Sequence, residues 1–228
     1  TGGAINDPLI NHLYIDEVNQ DLYFLTSPNL SAGATSLMKT SLSNFNPQLV
    51  YVIPNSINHI EDFEIHPTSG EFYWCTSYGY TGQVGVHYYQ ISTNQVINII
   101  TGNSNAYFFD ICFNLNGDLI YALGSNLENY TSGNTIYSGS DEIQEVKYNP
   151  LTNSFIIATL YNIVDDQGNI LFTSPYGGGN IKDLDINHTT QRILFNTSMA
   201  TVSMDMNGDN LNYNGVYPAQ IESIGAIE

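Results

Sequence analysis

The chain repeats one short pattern five times. In each copy an apolar strand is followed by a turn and then by a second apolar strand, as in residues 63–66 and Phe72–Thr76. The turn lies at a fixed offset from the first strand, and the residues at this offset are Gln20, Gly70, Gly117, Asn153 and Gln191. A repeat of this kind decides the architecture, because no single copy can bury its own apolar faces.

The period of the repeat identifies the repeating unit. An apolar or aromatic residue stands three positions before each first strand, at Ile10, Ile60, Tyr107, Ile143 and Ile181. The mean spacing is roughly 42 residues, which is typical of four-stranded propeller blades. We therefore predict an all-β fold, with one β-propeller domain over residues 1–228. The predicted repeats are about 10–59, 60–106, 107–142, 143–180 and 181–220.

A sixth start at Ile221 begins a short segment, 221–228. We expect it to add a C-terminal strand to five complete repeats; the alternative is that the chain forms part of a six-bladed propeller. The chain opens at Thr1 without an apolar leader, which we interpret as the mark of a processed product. The turns at 165–168 and 207–209 resemble calcium loops, but they lack the glutamate at the twelfth loop position. We interpret them as hairpin turns.

Charge excludes several classes of function. The 228 residues include 22 acidic and only four basic side chains, which gives a formal net charge of −18. Nucleic-acid binding needs clustered Lys and Arg, so it is excluded, and anionic membrane surfaces are disfavoured for the same reason. The apolar runs are too short to cross a bilayer, so we expect no membrane insertion. The acidity favours either simple solubility or a cationic partner, such as a basic protein or a divalent ion.

Two of the second strands carry a family resemblance. The sequence Phe-Tyr-Trp-Cys-Thr of Phe72–Thr76, and more loosely residues 22–26, resemble the Tyr-Trp-Thr-Asp strand of YWTD β-propellers, the class B repeats of low-density-lipoprotein-receptor ectodomains. The turn at 206–208 resembles the turn that precedes the outer strand in that family. The first-strand Asp of the family occurs here as Asp16, while the Asp that closes the tetrad is missing from every copy. The resemblance implies a divergent propeller, and six blades are the number found in the family.

The candidate binding residues lie at the start of the first strands. His12, Asp62, Glu145 and Asp183 each immediately precede the first core residue of their repeat. In a propeller these positions converge on one end of the central channel, where ligands usually bind. The four side chains could hold a divalent cation or a cationic substrate. The alternative is that polar residues at a wet channel mouth face only water.

Other polar residues have structural interpretations. Cys75 and Cys112 occupy positions that are apolar in other copies, which favours buried free thiols over a disulfide. His66 and His188 lie at or beside the turn after the first strand, which favours a capping role. Four glycosylation sequons occur. We expect modification first at Asn29 and Asn129, which the repeat places in loops, because a glycan at Asn187 or Asn196 would obstruct packing.

The catalytic signatures of common enzyme classes are missing from the sequence. It contains no nucleophile elbow, phosphate-binding loop, dinucleotide fingerprint or HExxH segment. Together with 17 tyrosines and divergent loops, this predicts a non-catalytic, secreted or cell-surface binding module with a protein partner and no cofactor. One alternative is a calcium-dependent propeller hydrolase or lyase with its site at the channel mouth. A second is a structural subunit of an extracellular filament that assembles through the chain termini.

Overall fold

Five antiparallel sheets of four strands make up the fold, as a computed structural model shows. The structure describes residues 9–16, 19–27, 35–53, 60–76, 84–102, 107–174, 180–197 and 200–214. In each sheet the strands follow one another in chain order, so each sheet is a simple up-and-down meander. The predicted all-β propeller with five four-stranded blades is confirmed, whereas segment 221–228 lies outside the described residues.

The blades are named A to E in chain order. Blade A contains β1 (Leu9–Asp16), β2 (Asp21–Ser27), β3 (Ser36–Ser41) and β4 (Asn44–Val52). Blade B contains β5 (Ile60–Ile65), β6 (Phe72–Thr76), β7 (Gly85–Gln90) and β8 (Gln95–Thr101). Blade C contains β9 (Phe108–Phe113), β10 (Leu119–Leu123), β11 (Asn126–Asn129) and β12 (Asn134–Ser138). Blade D contains β13 (Ile143–Asn149), β14 (Ser154–Thr159), β15 (Asn162–Asp165) and β16 (Ile170–Thr173). Blade E contains β17 (Ile181–Asn187), β18 (Arg192–Thr197), β19 (Thr201–Asp205) and β20 (Asn212–Asn214).

The turn between the first two strands has the same backbone geometry in every blade. Its last residue has a positive φ, between 52° and 77°, and these residues are Gln20, Gly70, Gly117, Asn153 and Gln191. They are the same five residues that the sequence repeat singles out. At the start of the same turn, His66 accepts hydrogen bonds on Nδ1 from the backbone N–H groups of Thr68 (3.2 Å) and Ser69 (3.1 Å), which confirms its capping role.

The substitution Gly70→Ala isolates the backbone cost of this turn. A Cβ atom at Gly70 would have no neighbour within 4 Å, so the only penalty comes from φ of +69°. We expect a loss of about 1–2 kcal/mol in the free energy of unfolding, measured by urea titration. Gly70→Asn is the control and should lose less than half as much, because Asn tolerates this conformation and Asn153 adopts it in blade D. An equal loss for both variants would contradict this explanation.

Blade C differs from the other blades by one residue in this turn. The turn runs from Asn114 to Gly117, with the N–H of Gly117 bonded to the carbonyl of Asn114. In blade B the corresponding bond joins Gly70 to His66, one residue farther apart. Asn114 caps the turn, its Oδ1 accepting hydrogen bonds from the N–H groups of Asn116 and Asp118. The shorter turn shifts the first strand of blade C by one residue relative to the other repeats, so that Asp110 aligns with Asp62.

The core lies between the blades rather than inside any of them. Phe63 and Trp74 of blade B pack against Leu25 and Leu37 of blade A, and all four are at least 98% buried. Comparable apolar clusters join blade B to C, C to D and D to E. Central strands therefore bury both faces, which is why their sequences are apolar over consecutive positions.

One blade face is not covered in this way. Ile10, Leu13 and Ile15 of β1, here named the blade A row, are 56%, 57% and 42% exposed. Most of their counterparts in the other blades face the preceding blade and are almost fully buried; Phe63, for example, is 2% exposed. Phe113 and Tyr148, the counterparts of Ile15 in blades C and D, are half-buried. The first strands of successive blades pack side by side around the axis. Within the described residues, β17 and β1 pack less closely than any other two successive first strands. Blade A therefore presents an apolar row where the other blades present an interface.

Cysteines and sequons take the following places. Cys75 and Cys112 are buried free thiols, as predicted. Asn196 is 1% exposed, so a glycan could not be attached to it in the folded chain. The repeat places Asn129 in a loop, but in the structure Asn129 is the last residue of β11. Its Oδ1 accepts a hydrogen bond from the N–H of Ser132. Asn29 lies outside the described residues.

The two turns that resemble calcium loops are hairpin turns. Asp165 Oδ1 accepts hydrogen bonds from the N–H groups of Gln167 and Asn169. Asp205 Oδ1 accepts from those of Asn207 and Asp209 in the same way. A hydrogen bond from the Asn210 side chain, together with these two backbone hydrogen bonds, lowers the pKa of Asp205. Each carboxylate is therefore used to hold its own turn, as interpreted from the sequence.

Candidate functional site at the propeller axis

A β-bulge occurs near the start of the first strand of every blade, one residue later in blade A than in blades B, D and E. The pairing register shifts between residues 11 and 13 in β1, 60 and 62 in β5, 143 and 145 in β13, and 181 and 183 in β17. In blade C two residues, Phe109 and Asp110, lie opposite the single residue Ala122. A bulge turns the side chain that follows it and frees a backbone group from the ladder. The repeated bulge therefore creates a ring of redirected residues near the axis.

The residues redirected by the bulges are those that the sequence singled out, with one addition. Asp62, Glu145 and Asp183 each directly follow the extra residue of their bulge. His12 is itself the extra residue in blade A and has a positive φ of 52°. Asp110 occupies the equivalent position in blade C. Asp110 was not predicted from the sequence, because the shorter turn shifts the first strand of blade C by one residue relative to the other repeats.

Three of these carboxylates join one blade to the next. Asp62 Oδ2 accepts a hydrogen bond from the N–H of Ile111 at 3.2 Å. Asp110 Oδ2 accepts one from the N–H of Val146, in the next blade. Glu145 Oε2 accepts one from the N–H of Leu184 at 3.2 Å. Each donor directly follows the ring residue of its own blade, so the same clamp is built three times around the axis.

The ring is crowded with negative charge. Asp110 is 2% exposed, and burial raises the pKa of its carboxyl well above the usual value. The charge of Asp62 and a hydrogen bond with the Asp62 side chain raise it further, while Lys147 lowers it. Such an environment favours the protonated form of a carboxyl group, and this form can donate a hydrogen bond to a neighbouring carboxylate. Burial and the neighbouring charge of Asp62 thus both disfavour the ionised form of Asp110.

A second layer of side chains lies two residues farther along each first strand. It consists of Tyr14, Glu64, Cys112, Lys147 and Asp185. Lys147 Nζ forms an ion pair with Glu145 Oε1 at 2.9 Å. Burial opposes the charge of Lys147, but Glu145, Asp110, Asp62 and Glu64 raise its pKa well above the usual value. The axis thus holds one permanent cation among several carboxyl groups.

Glu64 is the least compensated of these groups. It is half-buried, and within the described residues its carboxylate has no hydrogen-bond donor and no ion pair. Burial, followed by the negative charges of Asp62, Glu145 and Asp185, raises the pKa of Glu64 to about 8, although Lys147 lowers it. Folding therefore places an acid in an environment that disfavours its charged form.

A cavity of about 340 Å³ opens beside Glu64 at the end of the axis where the first strands turn back. Every blade contributes to it, through Tyr14, Glu64, Phe113, Lys147 and His188 among others. This end of the axis is opposite to the one at which the predicted ring of His12, Asp62, Glu145 and Asp183 lies. The sequence signals that could have indicated it are Glu64 and Lys147, charged residues that lie between apolar or aromatic neighbours in their first strands.

Metal binding at the predicted ring stays a prediction. The structure brings Asp62, Glu145 and Asp183 to equivalent places around the axis, with His12 in the bulge of blade A. Within the described ranges, no group of three or more His, Cys, Asp or Glu side chains is arranged to hold a metal ion. Among the same residues, there is also no helix of the length and apolarity needed to cross a membrane.

Comparisons with known proteins identify the fold. No protein-family model and no curated protein matches the chain. A chain in the crystal structure of a nidogen/laminin complex is similar to it, with a TM-score of 0.68 and 11% identity over 92% of this chain and 81% of that one. An auxiliary nutrient binding protein from Bacteroides thetaiotaomicron VPI-5482 has a TM-score of 0.59 and 10% identity over 88% of this chain and 56% of that one. The chain thus shares the β-propeller fold with these proteins.

Proposed function

We propose that the chain is a non-catalytic, extracellular protein-binding and assembly module. The observation that carries this proposal is the blade A row. Three neighbouring apolar side chains on the innermost strand remain exposed, in a molecule whose other four blades bury most of the same positions. Contiguous apolar surface of this kind is typical of protein interaction sites.

The four covered blades indicate which surface fits the blade A row. Each of them packs this face against the flat side of a neighbouring four-stranded sheet. We therefore infer that the occupant is a β-sheet of a partner protein, with apolar side chains on the face that it presents. Sheets pack face to face at about 10 Å, which allows such side chains to interdigitate.

The two similar proteins support the same class of function. One belongs to a complex between nidogen and laminin, and the other is described as a nutrient binding protein. Both descriptions concern binding rather than catalysis. The net charge of −18 also favours a partner whose surface carries positive charge around the apolar contact.

The substitution Leu13→Asp tests the proposal, with Ile91→Asp as its control. Ile91 is 55% exposed but lies on the turn between β7 and β8, away from the blade A row. Immobilised native chain and both variants are exposed to the extracellular proteins of the source, and retained proteins are quantified by mass spectrometry. We expect a partner that native chain and Ile91→Asp retain and Leu13→Asp loses, and that binds the native chain when both are purified.

Retention of the same proteins by all three forms would contradict the proposal. Concentration-dependent dimerisation of the native chain, abolished by Leu13→Asp, would also contradict it, because the row would then bind a second copy of the chain. Extracellular location is tested separately. The native protein should be recovered from the culture medium or from the cell surface after mild protease treatment, and recovery only from lysed cells would refute it.

A further inference from the structure

The cavity at the turn end of the axis has the dimensions of a small-ligand site. Its volume of about 340 Å³ falls at the lower end of the range of roughly 300–1,000 Å³ for such sites. Pro67, Leu115 and Pro150 form part of an apolar wall, and the rings of Tyr14 and Tyr148 line it as well. Apolar walls with a few convergent polar groups are the usual composition of a binding pocket.

The polar groups of the cavity favour a positive ligand. Glu64 lines it without a hydrogen bond or an ion pair among the described residues, whereas the ammonium group of Lys147 is already paired with Glu145 at 2.9 Å. Asp62 and Asp185 add negative charge near Glu64. Even with Glu64 and Asp110 protonated, the carboxylates of Asp62, Glu145 and Asp185 outnumber the single ammonium group of Lys147. The local field therefore attracts cations.

The walls distinguish between kinds of cation. A hydrated metal ion would leave apolar and aromatic surface exposed to its water shell, and the described residues form no metal-binding group. An organic cation can place its alkyl part against the proline and leucine side chains and its charge near Glu64. Tyrosine rings attract such cations through their negative faces, within about 6 Å of the ring centre.

We propose that this cavity binds an organic ammonium or guanidinium group, with Glu64 as its counter-ion. The group comes either from a Lys or Arg side chain of a bound protein or from a free amine. The first source rests on the proposed protein-binding function, and the second does not. The site is separate from the blade A row, so each can fail without the other.

Calorimetric titration at pH 8.5 tests the proposal with n-butylammonium and with the peptide acetyl-Gly-Lys-Gly-amide. We expect saturable binding of at least one probe, weakened about tenfold or more in Glu64→Gln. Glu142→Gln is the matched control, since Glu142 is exposed and lies just before β13; it should bind like the native chain. Tighter binding of the peptide identifies a side chain as the source, and tighter binding of butylammonium identifies a free amine.

Binding should also depend on pH in a way that a merely structural glutamate would not produce. Because the cation pairs with ionised Glu64, affinity should rise about tenfold between pH 7 and pH 9. Glu64→Gln should remove this rise. Lys147, Cys112, Tyr14, Tyr148 and His188 also face the cavity, so His188→Gln is titrated in parallel and should retain it. Absence of saturable binding to the native chain, or equal binding to native and Glu64→Gln forms, overturns the proposal.

Discussion

Replacing Asp110 by alanine should cost about 2–3 kcal/mol of the free energy of unfolding. The carboxyl of Asp110 is buried and accepts hydrogen bonds from the N–H groups of Ile111 and Val146. Ile111 has a second acceptor in Asp62, at 3.2 Å, whereas within the described residues Asp110 is the one side-chain acceptor of the Val146 N–H. Alanine would leave this amide buried without an acceptor at the junction between blades C and D, and would open a small void.

Asp110→Asn is the matched control for this loss. Asparagine has nearly the same shape, keeps one acceptor oxygen, and adds an amide group that can donate to Asp62. We expect it to lose less than about 1 kcal/mol. Urea denaturation at pH 7 measures both variants. The clamp would be disproved if Asp110→Ala lost less than Asp110→Asn, or if neither variant differed from the native chain.

The architecture was predictable from the sequence because it depends on a repeated local constraint. Every first turn needs a residue of positive φ before the second strand, and Gly, Asn and Gln mark this position in all five copies. Strand boundaries followed from the same register. The hairpin turn predicted at 207–209, for instance, lies between the strands Thr201–Asp205 and Asn212–Asn214.

The site was only partly predictable, because it depends on features without a composition of their own. A β-bulge has no fixed residue type: His12 forms it in blade A and Lys182 in blade E. The one-residue deletion in the turn of blade C hid Asp110, since alignment by apolar residues tolerates a shift of one position in a strand that is buried on both faces. The cavity needs residues from all five blades, and no single repeat shows it.

Replacing Glu64 by glutamine should stabilise the protein at alkaline pH. The folded chain keeps the proton of Glu64 up to a pKa of about 8, while the unfolded chain releases it near the ordinary value of 4.5. Between these values the folded state binds more protons than the unfolded state, so stability falls as the pH rises. Glutamine carries no such proton. At pH 8 we expect Glu64→Gln to be more stable than the native chain by about 2–4 kcal/mol, after allowance for partial exposure.

The sign of this effect reverses the usual behaviour of a carboxylate, which makes it a sharp test. At pH 4 the two forms should differ by less than about 0.5 kcal/mol, because Glu64 is protonated in the folded chain and largely so in the unfolded one. Asp110, whose pKa is also raised, makes stability fall with rising pH in the same way. The fall in stability with pH should therefore be smaller in Glu64→Gln than in the native chain, but not abolished. Glu142→Gln should leave the pH profile unchanged.

If Glu64→Gln were less stable than the native chain at pH 8, Glu64 would have a stabilising partner in the folded chain. A gain in stability joined to a loss of butylammonium binding would identify Glu64 as a group that costs the fold stability and serves the ligand.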